Sequence, residues 1–583
     1  MVNDSHILPP VINGAQVPLV VGVTGHRDLV AGEQDLIKSR IRDFFASFQN
    51  SFPGLPLQII TPLAEGADRL AAEVADELGI PIVALLPMPR DLYQDDFEGD
   101  SLQEFEEWMQ LSEIVELPLL PGTRSAELAE RGERRDLQYA QLGAYLAAHS
   151  HILLAIWDGK ISMAPGGTSH VVQFHQHDVI DLIAAGQHRS PIDFAEDESD
   201  LVYHIVCSRR EHGPPAESLQ VGDTCWLTRD DVTPKTPQMP VRYRVVFQRM
   251  SEFNVDLASR VVTQRLDHLI PESELASCSA GARDIEKLYQ KADRLANHFQ
   301  KAMIRSLRLT YGFAVMAGLS FIVYADLPDL PYQFDPYVMI YAYLGFIALV
   351  ILVSMVERRS GWLRKHLDYR VLAEGLRVQF YWSVAGVVME NPSRFSHDSF
   401  LKRQDLELGW IRNVMRFAGR RADAGTSPSS RADVELVIDH WVGDGSGGQT
   451  QYYFAKSRER VLRNRLTTSL VFMSFVVLII VALLLAFLQW DSPISNVLVA
   501  IMGLLPLIAT IRQSYAHRTA ERELIAQYGY YYRIFDSANR LLQRAEQLEL
   551  RREILRALGE AALDESGQWI LRQRERPLTV MTN

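Results

Sequence analysis

The sequence predicts two kinds of structure in one chain. An α/β domain on a parallel, doubly wound sheet comes first, and an α-helical membrane region with four transmembrane helices follows. Three observations carry this. Short β-branched runs alternate with helical stretches between residues 19 and 207, the pattern of βαβ units. Four long uncharged runs come after residue 308. At 583 residues the chain also exceeds the roughly 250–300 at which a single core stops growing.

In the first domain, residues 19–23, 57–61, 80–86, 114–117 and 151–157 read as strands, and 202–207 as the last one. Helical spacing of apolar residues marks 34–48, 67–78, 102–111 and 133–148, and Thr168 opens a further helix. Residues 187–200, with Glu196, Asp197, Glu198 and Asp200, read as a surface loop.

The uncharged runs cover residues 309–325, 336–356, 466–490 and 492–511. The first, with 17 residues, makes roughly 25 Å of helix against a hydrocarbon core of ~30 Å, so Arg308 must snorkel to lengthen it. The other three suffice outright. Arg305, Arg308, Arg358, Arg359, Arg364 and Lys365 flank the first pair; Lys456, Arg458, Arg460, Arg463, Arg465, Arg512 and Arg518 flank the second. The connecting loops hold only the acids Asp326, Asp329, Asp335 and Asp491. Positive flanks stay cytoplasmic, so both hairpins, and hence both termini, are expected on the cytosolic side. The first ten residues lack a basic segment and an apolar run, so no signal peptide is expected. The runs contain no charged residue, which disfavours a coupled transporter. Gly312, Gly318, Gly345, Gly503, Ser320 and Ser354 offer either close helix packing or a pore lining.

Lys and Arg total 59 against 72 Asp and Glu, a net charge of −13; a nucleic-acid polymer is therefore a poor partner. The 47% hydrophobic content excludes wholesale disorder. Cys207, Cys225 and Cys278 are too few and too scattered for a disulfide scaffold or a zinc ribbon. Chain-order boundaries fall at 1–262, 263–430 and 431–583, with flexible stretches at 421–431 and 443–448. Residues 541–558 read as an amphipathic helix, with a coiled stalk as the alternative.

Ligands of a doubly wound sheet sit beyond the carboxyl ends of its strands. Candidates there are Gly22, Thr24, Gly25, His26 and Arg27 after the first strand and Glu65, Gly66, Asp68 and Arg69 after the second. Arg90 and Tyr93 follow the third, and Gly166, Gly167 and Thr168 the fifth. Glycines at three strand-to-helix junctions let backbone N–H groups approach an anion, and the arginines add charge. Arg69 is equally read as a helix-surface ion pair, His26 as a turn cap, and Glu65 as a general base or a helix cap. A dehydrogenase is disfavoured: G-V-T-G-H-R lacks the third glycine of the dinucleotide fingerprint, and residues 60–62 offer no ribose-binding acid. No Walker A loop occurs. His175, His177, Asp178 and Asp181 form no metal site, since residues two apart point to different sides of a helix. No catalytic residue is assigned.

Residues 21–28, 64–70, 89–97 and 166–168 resemble the SLOG family, the Rossmann-like superfamily of LOG nucleoside-monophosphate hydrolases, DprA and bacterial immune nucleotide sensors. The likeness spans roughly residues 15–260. LOG enzymes carry a catalytic glutamate after their glycine-rich loop; residues 166–173 here carry no acid. The resemblance thus implies binding rather than hydrolysis. Its ligand would be a signalling nucleotide, a cyclic oligonucleotide or an ADP-ribose derivative, with no cofactor. Residues 292–326 and 364–383, including Tyr369 to Arg377, look like a SLATT two-helix membrane effector, and residues 451–542 like a second copy. Together these imply a nucleotide sensor fused to a pore-forming, homo-oligomeric effector of the bacterial inner membrane, acting in antiphage abortive infection. The alternatives are a membrane-anchored nucleotide or ribosyl hydrolase and a nucleotide-regulated transport protein.

Overall fold

The computed structural model of the chain describes residues 16–120, 122–162, 166–177, 200–228, 238–259, 268–326, 337–387, 406–424, 429–443, 448–488 and 493–574. It divides into two compact units that interleave along the chain: Met1–Lys291 with Glu374–Val434, and Ala292–Ala373 with Glu435–Asn583.

The first unit holds a seven-stranded sheet: β1 (Leu19–Gly25), β2 (Leu57–Thr61), β3 (Ile82–Leu86), β4 (Glu113–Glu116), β5 (Ile152–Trp157), β6 (Val202–Val206) and β7 (Thr224–Leu227). The order is β4-β3-β2-β1-β5-β6-β7, parallel except for the β6–β7 pair. The fold is therefore the expected Rossmann-like α/β sheet followed by a helical region. Every residue of β2, β3 and β5 is buried. That explains runs such as IVALL and ILLAIW, which do not alternate because helices cover both faces of a parallel sheet.

Its helices are α1 (Gln34–Ser51), α2 (Ala67–Glu77), α3 (Arg90–Tyr93), α4 (Asp100–Leu111), α5 (Glu133–His149), α6 (Thr168–His177), α7 (Val241–Ser259) and α8 (Glu272–Leu275). In α1, Ile37, Ile41, Phe44, Phe45 and Phe48 recur at helical spacing and are buried. Phe44 stacks on Tyr203 of β6 with 4.5 Å between ring centroids. On α7, Asn254 exchanges two hydrogen bonds with the backbone of Val17, fixing the entry to β1.

The chain continues through α9 (Ala280–Asp326), α10 (Tyr337–Ser360), α11 (Trp362–Ala385), α12 (Gly409–Asp423), α13 (Arg431–Val437), α14 (Gln449–Leu488), α15 (Pro493–Arg518), α16 (Glu521–Arg544) and α17 (Leu548–Arg574). Helix α12 returns to the sheet unit and completes its core. Arg420 donates to Gln58 of β2 at 2.6 Å and to Glu113 at 2.9 Å, its carbonyl accepts the Tyr145 hydroxyl, and the Asn413 carbonyl lies 2.9 Å from Nε2 of His151.

In the second unit, α9, α10, α14 and α15 are long and apolar enough to cross a membrane, which marks a membrane protein. One element order occurs twice: a long helix, an apolar return helix and an aromatic-bearing helix, as α9-α10-α11 and α14-α15-α16. Phe299 meets Tyr369 at 5.6 Å in the first set, and Tyr453 stacks on Tyr531 at 4.8 Å in the second. The two hairpins touch. A Cβ on Gly318 would stand 2.2 Å from a methyl of Leu507, and the rings of Tyr311 and Tyr515 are 5.8 Å apart. Leu295 and Phe299, on the amphipathic stretch of α9, are buried.

Four expectations need correction. The first strand does not stop at residue 23: β5 pairs with Val21 through Gly25, beyond the β2 pairing that ends at Gly22, so the ladder carries β1 two residues further. Residue 207 does not close the sheet, because the four-residue β7 adds an antiparallel edge. Asp200 is not on a surface loop but 2% exposed, accepting the hydroxyl of the buried Tyr243; residues 187–199 lie outside the described ones. Finally, 541–558 is not one helix. The backbone turns extended at Ala545, and α16 and α17 form a hairpin pinned by the Tyr531 hydroxyl on the Ala562 carbonyl at 3.1 Å.

Candidate functional site

The chain reverses direction across the sheet between β1 and β5, the point where doubly wound sheets bind ligands. The loops after these two strands meet there. His26 Nε2 lies 3.1 Å from Oδ1 of the buried Asp158, and the His26 N–H donates to the Ile156 carbonyl at 3.2 Å. Burial holds the His26 imidazole below its usual pKa; Asp158 opposes this only in part.

The candidate residues sort into three groups. Gly22, Thr24 and Gly25 are built into β1 rather than into its loop. A Cβ on Gly22 would stand 2.1 Å from the Ser150 hydroxyl, and one on Gly25 2.3 Å from Cβ of Ala67. Both glycines therefore serve helix–sheet packing. Gly66 serves loop-to-loop contact: at φ +79° its Cβ position lies 2.4 Å from the Arg27 carbonyl. The Ala67 N–H, first in α2, then donates to the His26 carbonyl at 3.1 Å. Gly166, at φ +70°, sits against the Tyr139 backbone, and its N–H donates to Nδ1 of His170 at 3.1 Å. Gly167 accepts the Val171 N–H, and Thr168 is buried at the start of α6.

The second group is spent inside the protein. Arg69 is 4% exposed and donates to the Leu63 carbonyl, to the Ser101 hydroxyl and carbonyl, and to Glu104 at 2.6 Å. Its guanidinium also lies 5.0 Å from the Phe97 ring. Its pair with Glu104 joins α2 to α4 and is buried on the arginine side rather than lying on a helix surface. Glu65 accepts the Ser101 hydroxyl. Tyr93 is fully buried, with its hydroxyl on the Pro62 carbonyl at 3.1 Å. Burial drives its phenol far above the ordinary range.

The third group is Arg27, Arg90 and Asp68, of which the two arginines face solvent. Arg27 is about half exposed (46%), and its nearest acid, Asp96, stands at 3.9 Å. Among the described residues the Arg27 guanidinium makes no hydrogen bond. Asp96 is already held by Arg135 at 2.8 Å and by the Tyr139 hydroxyl, so it does not neutralise Arg27 alone. Tyr139, half-buried and beside this carboxylate, has its phenol pushed up to about 12. Arg90 is exposed at the start of α3. Asp68, in the first turn of α2, is buried, and burial pushes its carboxyl up to about 7 against the opposing pull of Arg27.

Asp96, Arg135, Tyr139, Ser101 and Asp158 shape the site without being among the expected residues. Arg135 and Tyr139 are spaced one helical turn apart on α5, a signal readable in retrospect. His175 is not a ligand residue: its two ring nitrogens lie 3.2 Å from the carbonyls of Ala147 and Leu201, while Asp178 and Asp181 lie outside the described residues. Asp28, Glu211 and His212 come close enough together to ligate one cation, but Asp28 is paired with Arg209 at 2.9 Å.

Compared with known protein families and with curated proteins, the chain matches none.

Proposed function

We propose that the protein is a nucleotide-gated membrane effector. A signalling nucleotide, either a cyclic oligonucleotide or an ADP-ribose derivative, binds at the switch between β1 and β5. Binding shifts the apolar hairpins toward a membrane-permeabilising state. A ligand moves such an equilibrium only through its differential affinity for the two states. In this reading the sheet unit is SLOG-like and the hairpin sets are SLATT-like. The chain is a homo-oligomer in a bacterial inner membrane with both termini cytosolic, and it acts in antiphage abortive infection.

One observation carries the reading. Arg27 presents a half-exposed guanidinium without a hydrogen bond among the described residues, beside the β1–β5 switch where folds of this kind take ligands, on a chain that also carries four membrane-capable helices. Arginine presents a planar fork that suits phosphate oxygens, and one whose donors make no hydrogen bond beside a helix N-terminus is suited to receive an anion. The absence of an acid among residues 166–173 supports binding over hydrolysis.

The test joins ligand and leakage. A nucleotide panel is screened for thermal stabilisation of the purified chain, since a ligand of the native state raises stability. Hits are then added to dye-loaded liposomes carrying the protein. Ligand-dependent release that disappears in Arg27→Gln is the expected result. Release at the same rate without any ligand would sink the proposal. Accessibility of a tag within residues 327–334 from outside, with terminal tags inside, tests the orientation.

A further inference from the structure

The first turn of α2 contains a carboxyl group that the protein leaves half used. Asp68 is 4% exposed. Its Oδ2 accepts the Ala64 N–H at 3.3 Å, a long bond, while its buried Oδ1 has no hydrogen-bond partner among the described residues. A buried oxygen without a hydrogen bond is costly, and a bound partner that supplies one relieves that cost.

The groups that face Asp68 come from four places. The Ala64 N–H donates to it from the loop before its own helix, and Arg69 in α2, Arg27 in the loop after β1 and Tyr93 in α3 lie close enough to act on its charge. Arg69 is committed to Leu63, Ser101 and Glu104, and the Tyr93 hydroxyl to Pro62. Among the described residues the Arg27 guanidinium makes no hydrogen bond, whereas Arg69 makes four. The site therefore combines a guanidinium that makes no hydrogen bond among the described residues with a carboxyl whose second oxygen has no partner among them.

We propose that Asp68 reads a phosphodiester or pyrophosphate as a neutral carboxylic acid, donating its O–H to one phosphate oxygen while Arg27 holds another. This rests on the nucleotide reading above and adds a chemical selection to it. An ionised Asp68 would repel the phosphate. A protonated one completes an acid–arginine clamp in which every buried oxygen is bonded. With its carboxyl raised to about 7 by burial, Asp68 carries its proton below that pH and loses it above. Anion binding raises it further, so at alkaline pH the ligand must bring in a proton. Affinity should therefore fall as pH rises through about 7. His26 does not supply this slope: burial lowers its pKa from the ordinary imidazole value, so its titration lies below the range above about 7 in which affinity falls. Diesters and pyrophosphate diesters do not titrate in this range, so the slope belongs to the protein.

The experiment uses the full chain in lipid nanodiscs. ADP-ribose and a cyclic dinucleotide serve as probes in calorimetry from pH about 6 to about 9. Wild type should lose close to tenfold in affinity per pH unit above about 7 and should take up one proton on binding there, read from buffers of different ionisation heat. Asp68→Asn, whose amide is a permanent neutral donor, should bind within about threefold of the wild type's acidic limit at every pH. Arg27→Gln should not bind. A flat or rising wild-type profile, or proton release, would overturn the proposal and make Asp68 an ionised acceptor for a ligand hydroxyl. Loss of binding at all pH values in a folded Asp68→Asn would do the same, and both results leave the nucleotide reading standing. Failure of both probes to bind at any pH would remove that reading and this one together.

Discussion

In the sheet unit, β2 and β3 bury all of their residues; in the helical unit, α10 buries none of its 24. Phe487 at 81% exposure and Leu466 at 66% have no counterpart among the apolar residues of the sheet's strands. The same physical rule produces both patterns. Water drives apolar side chains under the helices of the sheet unit, at about 25 cal/mol per Å² of buried area. A hydrocarbon environment has no such preference, so an apolar side chain on α14 is already in its favoured solvent when it faces outward. Exposure in one unit and exposure in the other are therefore different quantities.

The largest expected effect follows from that difference. Ile480 on α14 is 50% exposed and Leu111 at the end of α4 is 42% exposed, nearly equal by area. Ile480→Asp should cost about 3 kcal/mol of insertion free energy, the price of a carboxylate near mid-helix. Leu111→Asp should change stability by less than about 0.5 kcal/mol, as surface substitutions in water do. Membrane-integrated yield checks the first and thermal denaturation the second. Equal effects would mean that α14 is not surrounded by lipid.

A second comparison lies inside the sheet unit, between two arginines that look alike in sequence. Arg69 makes four hydrogen bonds and is buried; the Arg27 guanidinium makes none among the described residues and is half exposed. Arg69→Ala should destabilise by about 2 kcal/mol, because it strands the Leu63 and Ser101 carbonyls and leaves a void under Phe97. The exposed side of its Glu104 pair adds little. Arg27→Ala should leave stability within about 0.5 kcal/mol and abolish nucleotide binding. Stability loss in both variants with ligand affinity kept would reverse their roles.

These two arginines also show what was readable beforehand. The alternation of strands and helices, and the uncharged runs with their basic flanks, are local properties. They place every strand but β7 and all four membrane-capable helices. The partners of Arg69 are not local: Ser101 and Glu104 sit on α4, more than thirty residues on, and nothing in A-E-G-A-D-R points to them. Nor does local pattern reveal that α12, after the first hairpin, supplies Arg420 to the sheet at Gln58. Such pairings depend on which elements the topology brings together. The glycines mislead for a related reason. Gly22, Gly25 and Gly66 look like a phosphate cradle, yet each stands where another segment approaches too closely for a side chain. Their effect on the site is indirect, drawing three loops to one sheet edge.

The smallest effect sharpens the lipid comparison from within the helical unit. Gly318 and Gly345 are both mid-helix glycines in apolar surroundings. The Cβ position of Gly318 lies 2.2 Å from Leu507, whereas Gly345 has nothing within 4 Å. Gly318→Leu must therefore push α9 away from α15, at a cost of about 1–2 kcal/mol of overpacking. Gly345→Leu adds a side chain to open hydrocarbon and should shift the melting temperature in nanodiscs hardly at all, under about 0.5 kcal/mol. Subunit number, read by mass photometry of the same samples, should be unchanged in Gly345→Leu if α10 meets lipid on that face. A drop in subunit number with the single-chain melting temperature unaltered would place a second copy against Gly345. The open face of α10 would then be an assembly surface, and its lack of buried residues would reflect a missing neighbour rather than its solvent.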